Sequence, residues 1–492
     1  MNLYDFFHRT FARFPDKTAI RFGERELSFR ELAVRAGAVA RLYSSRGISS
    51  SDRIAFYLGN CPGLIFAYLA NLQAGLITVP MNTQYRESEI VHMVNDSQPR
   101  LIVTDHDGWP LLDSLRGKLA GAEILRVEEL EKAVAGAEPR PVTGEAAAAI
   151  LYTSGTTGRS KGAILTHRNF VSNIETLISA WAWTADDVLL LALPLFHTHG
   201  LAVALHGALA SGCTTILHKG FQAGEALDAL VREGVTLFMG VPTMYVRLLE
   251  QAAKRSMTRV ELPRMRLFIS GSAPLSRETF EEFEQVFGHR ILERYGMTET
   301  IMNISNPYSS DRIPGTVGLP LPGVSVRIID DRGTEAPDGE GGELQLQGPN
   351  VFSGYWQDPE KTDASFVVDA DGSRWFRTGD LGRRDPVTGY YQLLGRRHDL
   401  IISGGYNIYP REVEELLLSH PEVVESAVVA ADDPALGQVP VAFVVGNATE
   451  QQLIDYCSSR IARYKIPRSI RIVHALPRNA MGKVEKRKLK LK

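Results

Sequence analysis

Residues 152–162 read YTSGTTGRSKG and follow the apolar, strand-like run AAAAILY. The stretch joins three requirements of polyphosphate binding. Gly155, Gly158 and Gly162 let backbone approach an anion closely, Thr153, Ser154, Thr156 and Thr157 bring hydroxyl donors, and Lys161 adds a point charge. The spacing is not GxxxxGK[ST], which argues against a Walker loop and the folds built on it. A Ser/Gly-rich surface linker would share the composition, but not the preceding strand and the embedded lysine.

Outward from this loop, residues 1–150 alternate amphipathic helical segments such as LSFRELAVRAGAVARLYSSRG with short apolar runs such as DRIAFYL and RLIVTD. The middle third repeats the alternation, with DVLLLALP, TTILH, VTLFMG and RMRLFIS as buried strands, and the pattern predicts doubly wound α/β sheets. From about 324 shorter glycine-punctuated pieces (VSVRIID, GELQLQG, YYQLLG) predict a β-rich subdomain. After the charged GRRHD comes a pattern for a small α+β module. The expected division is therefore a large domain over 1–395, a hinge at 396–399 and a small mobile C-terminal domain over 400–492.

The chain has 492 residues, 44% hydrophobic and 23% charged, with a formal net charge of -3, so it suits a soluble multidomain protein without global attraction for nucleic acid or anionic lipid. The basic end KVEKRKLKLK reads as solvated. Cys61, Cys213 and Cys457 are too few and too scattered for a disulfide framework or a CxxC metal site, which fits a reducing cytoplasm. The N-terminal stretch lacks the apolar core of a secretory signal. The apolar stretch 188–209 is interrupted by Pro194, His197, His199 and His206 and reads as buried core rather than a membrane span. A monomer or homodimer is expected.

Beyond the loop stand PLFHTHG (194–200), SGSAPL (270–275), RYGMTET (294–300), FRTGD ending at Asp380, LGRRHD (394–399), SGGYNIYP (403–410) and PRNAMGK ending at Lys483. In this order and spacing, across nearly the whole chain, the sequence resembles the acyl-adenylate-forming enzymes: acyl-CoA synthetases, aryl-CoA ligases, firefly luciferase and peptide-synthetase adenylation domains. The resemblance implies that ATP, Mg²⁺ and coenzyme A convert a carboxylic acid to an acyl-AMP and then to a thioester.

It also implies residue roles. Thr153, Ser154, Gly155, Thr156, Thr157, Gly158 and Lys161 would hold the β- and γ-phosphates, Thr298 the α-phosphate and Glu299 the Mg²⁺. Adenine would lie against Tyr295 and the backbone of Gly271, Ser272, Ala273 and Pro274, with Arg294, Gly296 and Met297 in the same motif; Tyr295 as a packing residue stands beside that reading. Asp380 would accept the ribose hydroxyls, with Arg396 nearby. Lys483 would stabilise the adenylation transition state. His398 takes the hinge position, where the family more often carries Asp or Lys, and Gly404 and Gly405 would flank the pantetheine arm. His197 matches the gate between nucleotide and acyl sites. A His197/His199 metal pair lacks an evident third ligand.

A finer resemblance, to malonyl-CoA synthetases, is carried by PLFHTHGL, GVPTMYVRLL, TETIMNISNPY and DRIPGTVG. Thr243 and Arg247, four apart on a predicted helix, share a face, so Arg247 would hold a second carboxylate if that face lines the pocket. A surface position for Arg247 remains the alternative. Met302 and Asn303 read as substrate-pocket residues, with Asn303, Ser305 and Asn306 too polar for a long alkyl chain, and Arg312 reads as a second pocket or loop arginine. The expected substrate is malonate or methylmalonate. An aliphatic or aryl monocarboxylate is the alternative, and a non-catalytic nucleotide-binding protein is the rival class.

Overall fold

The computed structural model describes residues 1–133, 141–153, 160–404, 406–434, 436–479 and 484–489. The predicted α/β layering takes the form of two large sheets. In the first, the strands Leu292–Tyr295, Leu267–Ser270, Leu237–Gly240, Val188–Leu191, Thr214–Leu217 and Thr18–Phe22 lie side by side in that order, all parallel, with antiparallel strands at either edge. In the second, Ala147–Thr153, Ile77–Pro80, Arg53–Tyr57, Leu101–Thr104 and Glu123–Arg126 are parallel, and Lys161–Thr166 folds back antiparallel on Ala147–Thr153. The runs are short and apolar because parallel strands are covered on both faces.

One core joins the two sheets. It takes Ile20, Leu189 and Leu191 from the first, Phe56, Val103 and Leu151 from the second, and the helices Phe29–Ser45, Pro62–Ala74 and His167–Ala180. Every residue of Pro62–Ala74 is buried, as a helix apolar on all sides requires. The stretch around 188–209 is buried as expected: after Val188–Leu191 it forms a π-helical turn, His199–Leu205, and the helix His206–Ser211. Among the described residues no helix is long and apolar enough to cross a membrane.

The β-rich expectation is met by a five-stranded antiparallel sheet of Ser325–Ile329, Gly341–Gln347, Arg374–Arg384, Phe366–Val368 and Tyr391–Arg396. A one-turn 3₁₀ segment, Arg397–Asp399, leads from it to a last sheet built on the long hairpin Val423–Asp433 and Gly437–Gly446. That sheet has a core of its own, in which Ile401, Ile408, Val428, Val444 and Ile470 pack against Val413 and Leu417 of the helix Pro410–Leu418 and against Leu453 and Cys457 of Glu450–Ser458.

Candidate active site

The neighbouring strands Leu267–Ser270 and Leu292–Tyr295 run parallel, so the turns that follow them, 271–274 and 296–300, open at the same edge of the sheet, where α/β folds bind ligands. Both turns need glycine. A β-carbon on Gly271 would lie 2.4 Å from Arg294 Cζ, and one on Gly296 would lie 2.0 Å from the Ile301 carbonyl oxygen. Ser272 and Ile301 are held at φ 69° and 58°, the left-handed region that a β-branched residue seldom enters. Asn350 secures the second: its Nδ2 donates to the carbonyls on either side of Ile301, Thr300 at 2.6 Å and Met302 at 3.1 Å. Asn173 donates to Met302 O at 2.9 Å, and Asn303 to Thr300 Oγ1 at 2.7 Å.

Asp380 stands buried on Arg374–Arg384, opposite Arg396 in the antiparallel register. Arg396 Nε forms an ion pair with Oδ1 at 2.8 Å, and the Tyr295 hydroxyl donates to Oδ2 at 2.5 Å. Asp380 foremost raises the basicity of Arg396. Tyr295 therefore does two things: its ring packs with Ile304, Val317 and Leu344, and its hydroxyl orients the carboxylate read as the ribose acceptor.

Glu299 is buried, which pushes its carboxyl above the ordinary range, and Tyr355 donates to its Oε1 at 3.0 Å. Tyr355 belongs to the short strand Gly354–Tyr355, paired with Lys161–Thr166, so its ring lies under Lys161 Nζ at 5.7 Å. Burial, followed by Lys361, lowers the pKa of Lys161. Thr153 pairs with Lys161 across the hairpin. One hairpin, one short strand and one turn thus bring the expected phosphate lysine and the expected Mg²⁺ ligand to a common tyrosine. Thr298 and Met297 lie half-buried in the 296–300 turn. Among the described residues no group of three or more His, Cys, Asp and Glu forms a metal cluster, so a cation at Glu299 would draw its remaining ligands from phosphate and water.

On the other side of the 271–274 turn, Ser272 Oγ lies 3.4 Å from His199 Nδ1, and the His199 amide donates to His197 Nδ1 at 3.3 Å. Thr243 and Arg247 share an exposed face near the start of the helix Pro242–Lys254, while Tyr245 points inward and donates to Ile269 O at 2.5 Å. His398 Nε2 is 3.4 Å from Asp399, and Gly404 is exposed at φ 56°.

Several expectations are revised. Strand alternation turns Arg294 away from Tyr295 and Asp380, against Gly271 and the Tyr245 side of the sheet, so the nucleotide contact read for it is replaced by a buried guanidinium behind the turn. Asn303 bonds Thr300 and Asn350, Ser305 accepts from Trp181 Nε1 at 2.9 Å, and Asn306 donates to Glu293 O and Thr316 O. The polarity of these three residues is used inside the frame rather than offered to an acyl chain. Arg312 is the loop arginine, donating to the carbonyls of Arg290, Pro307 and Tyr308. Ser154, Gly155, Thr156, Thr157, Gly158, Gly405 and Lys483 lie outside the described residues.

Residues 7–356 match the model of the family described as AMP-binding enzyme, and 412–483 match that of the AMP-binding enzyme C-terminal domain. The chain belongs to the AMP-binding enzyme family. Relatives of this AMP-binding enzyme include a mitochondrial malonate-CoA ligase of Mus musculus, 34% identical over 97% of this chain and 88% of the relative. A sulfoacetate-CoA ligase of Cupriavidus necator is 35% identical over 97% of this chain and 95% of its own. The ATP-bound crystal structure of MatB from Rhodopseudomonas palustris is 41% identical, covers 99% of this chain and 98% of that one, and superposes with a TM-score of 0.92. The apo structure of the same protein gives 0.84.

Motif reading of this AMP-binding enzyme missed Tyr355, Asn350 and Asn173. SGYWQDP and GPN carried the first two in plain view, but nothing local in the sequence says that a hydroxyl at 355 reaches a carboxylate at 299.

Proposed function

We propose that this AMP-forming acid:CoA ligase activates a short dicarboxylate, malonate or methylmalonate, and passes it to coenzyme A. One carboxylate oxygen attacks the α-phosphorus of ATP, the bond to pyrophosphate breaks, and an acyl-AMP forms. The thiol sulfur of CoA then attacks the acyl carbon, AMP leaves, and the thiol proton passes to solvent. Positioning and charge neutralisation supply most of the first step.

Lys161 and Thr153 hold phosphate oxygens, Asp380 takes the ribose hydroxyls beside Arg396, and Tyr295 with the 271–274 backbone frames the adenine. Glu299 fits a hard cation, because it is a buried carboxylate whose only hydrogen-bonded side-chain partner among the described residues is Tyr355. Glu299 would hold Mg²⁺ there, and the ion would supply charge neutralisation for the departing pyrophosphate. Residues 396–399 form the hinge between the larger part of the chain and the C-terminal sheet, with His398 within it. Cys61, Cys213 and Cys457 are unpaired, which supports a cytoplasmic setting.

The diacid reading rests on Arg294. Its guanidinium is buried directly behind Gly271, and Nε and Nη2 have no hydrogen-bond partner among the described residues. Burial lowers its pKa to about 9. A buried cation with open donors is costly until an anion meets it, and a second carboxylate is the matching group. Arg247, two residues from Tyr245 on the same helix, stands on the exposed face, the surface position. Relatives named for malonate and for sulfoacetate, each an acid with a second anionic group, support the same reading.

The test is ATP-, Mg²⁺- and CoA-dependent AMP formation with malonate, methylmalonate, sulfoacetate, acetate, octanoate and benzoate. Turnover confined to acids with a second anion is expected, with malonate or methylmalonate fastest. Preference for a monocarboxylate would overturn the diacid reading and leave the ligase class standing.

A further inference from the structure

Glu293 and Arg411 are buried charges on opposite sides of the seam between the first sheet and the C-terminal unit. Glu293 lies on Leu292–Tyr295, two residues before the tyrosine that holds Asp380; Arg411 is the second residue of the helix Pro410–Leu418. They are 4% and 7% exposed, rare for charges unless a partner answers them. Glu293 Oε1 accepts the Leu275 amide at 3.3 Å, and Arg411 Nε donates to Glu415 Oε1 at 2.7 Å. Glu293 Oε2 and Arg411 Nη2 have no hydrogen-bond partner among the described residues. Burial is the foremost influence on Glu293 and opposes its ionised form, as does Glu415, while Arg411 and Arg294 favour it.

The seam is shaped to receive this helix. A β-carbon on Gly341 would lie 2.8 Å from the Tyr409 hydroxyl, so a side chain there would push aside the residue that leads into the helix. Beside it lies a cavity of about 330 Å³ lined by Leu275, Leu394, Tyr409, Arg411, Glu415 and Lys465. Leu275 closes the SGSAPL turn that frames the nucleotide bay, so docking at Arg411 bears on both strands that form the bay.

We propose that Arg411 is a positioning residue for the adenylation half-reaction: by answering Glu293 across the seam it seats the C-terminal unit against the nucleotide bay. The assignment rests on the two-step ligase reading. An arginine that serves only the fold would affect adenylation and thioester formation alike, whereas a seating residue affects the step that needs this arrangement.

The two half-reactions are measured separately, as malonate-dependent exchange of pyrophosphate into ATP and as CoA attack on supplied malonyl-AMP, for wild type, Arg411→Gln, Arg411→Lys and the double variant Glu293→Gln/Arg411→Gln. Arg411→Gln is expected to lower exchange at least about tenfold and CoA attack less than about twofold. Arg411→Lys, which keeps the charge, is expected to retain more exchange than Arg411→Gln. The double variant, with both charges removed, is expected to recover most of it, since stranding one buried charge costs more than removing the pair. Equal loss of both half-reactions in Arg411→Gln, or a double variant no better than the single one, would overturn the proposal. Should Arg411→Gln fail to fold, Arg411→Lys and the double variant decide it, and equal loss of the two steps in both would count against it. Wild type lacking both half-reactions would refute the ligase reading instead.

Discussion

The Tyr355 hydroxyl donates to Glu299 Oε1 at 3.0 Å while its ring lies 5.7 Å beneath Lys161 Nζ, so one side chain spaces the cation expected at the phosphates from the carboxylate expected at Mg²⁺. Tyr355→Phe keeps the ring and leaves a buried carboxylate one donor short. The cost of such a loss is about 1–3 kcal/mol. The expected outcome is roughly a tenfold or greater rise in the Mg²⁺ concentration needed for half-maximal adenylation, with the melting temperature little changed. Mn²⁺ binding to the enzyme-ATP complex, followed by electron paramagnetic resonance, should weaken in parallel.

Asp380 receives Arg396 and Tyr295 on separate oxygens, an arrangement that fixes the carboxylate while leaving lone pairs for a ligand diol. Asp380→Asn should therefore raise the Kd for AMP by about tenfold or more, the loss of a charge-assisted bond being roughly 1.5–3 kcal/mol. Isothermal titration with AMP checks it. An unchanged Kd would remove Asp380 from the nucleotide site.

The backbone at Ile301 is held left-handed by Asn350, which grips the carbonyls before and after it. Asn350→Ala strands both carbonyls and lets the turn relax, so unfolding stability should fall by about 2–3 kcal/mol and adenylation should fall with it. Urea denaturation measures the first effect and pyrophosphate exchange the second. Loss of stability with full activity would show that the turn geometry at 301 is not needed for the site.

Burial pushes Glu293 from 4.5 up to about 7, Arg411 and the Leu275 amide opposing it. The native state therefore holds its proton more tightly than the unfolded chain does. The stability this contributes is complete below about pH 4.5 and is lost as pH rises through about 7. Glu293→Gln removes the dependence: the stability of wild type relative to the variant should fall between pH 5 and pH 8 by about 2–3 kcal/mol. Chemical denaturation at the two pH values tests the sign.

Much of this fold was legible because parallel strands announce themselves as short apolar runs between amphipathic helices, as at 188–191, 214–217 and 237–240. Glu299 and Asp380 were singled out by resemblance, and the structure sets them in the groups Lys161–Tyr355–Glu299 and Tyr295–Asp380–Arg396. What escaped was cross-chain. Tyr355 lies 56 residues from Glu299 and Asn350 lies 50 from Thr300, and no periodicity encodes such pairs. Arg294 was read with its motif, but alternation along the strand sends its side chain to the face opposite Tyr295. Asn303, Ser305 and Asn306 looked like pocket polarity because sequence does not reveal that each already has its partners inside the frame.

The central claim is that ATP and a dicarboxylate form an acyl-AMP on this chain before CoA is engaged. The most direct measurement mixes enzyme with ATP, Mg²⁺ and radiolabelled malonate in the absence of CoA, quenches, and then repeats the mixing with CoA added. The account predicts close to one malonyl-AMP per active site in the first case and its conversion to malonyl-CoA with release of AMP in the second. Formation of acetyl-, octanoyl- or benzoyl-AMP in place of malonyl-AMP, or no adenylate with any acid, would contradict it.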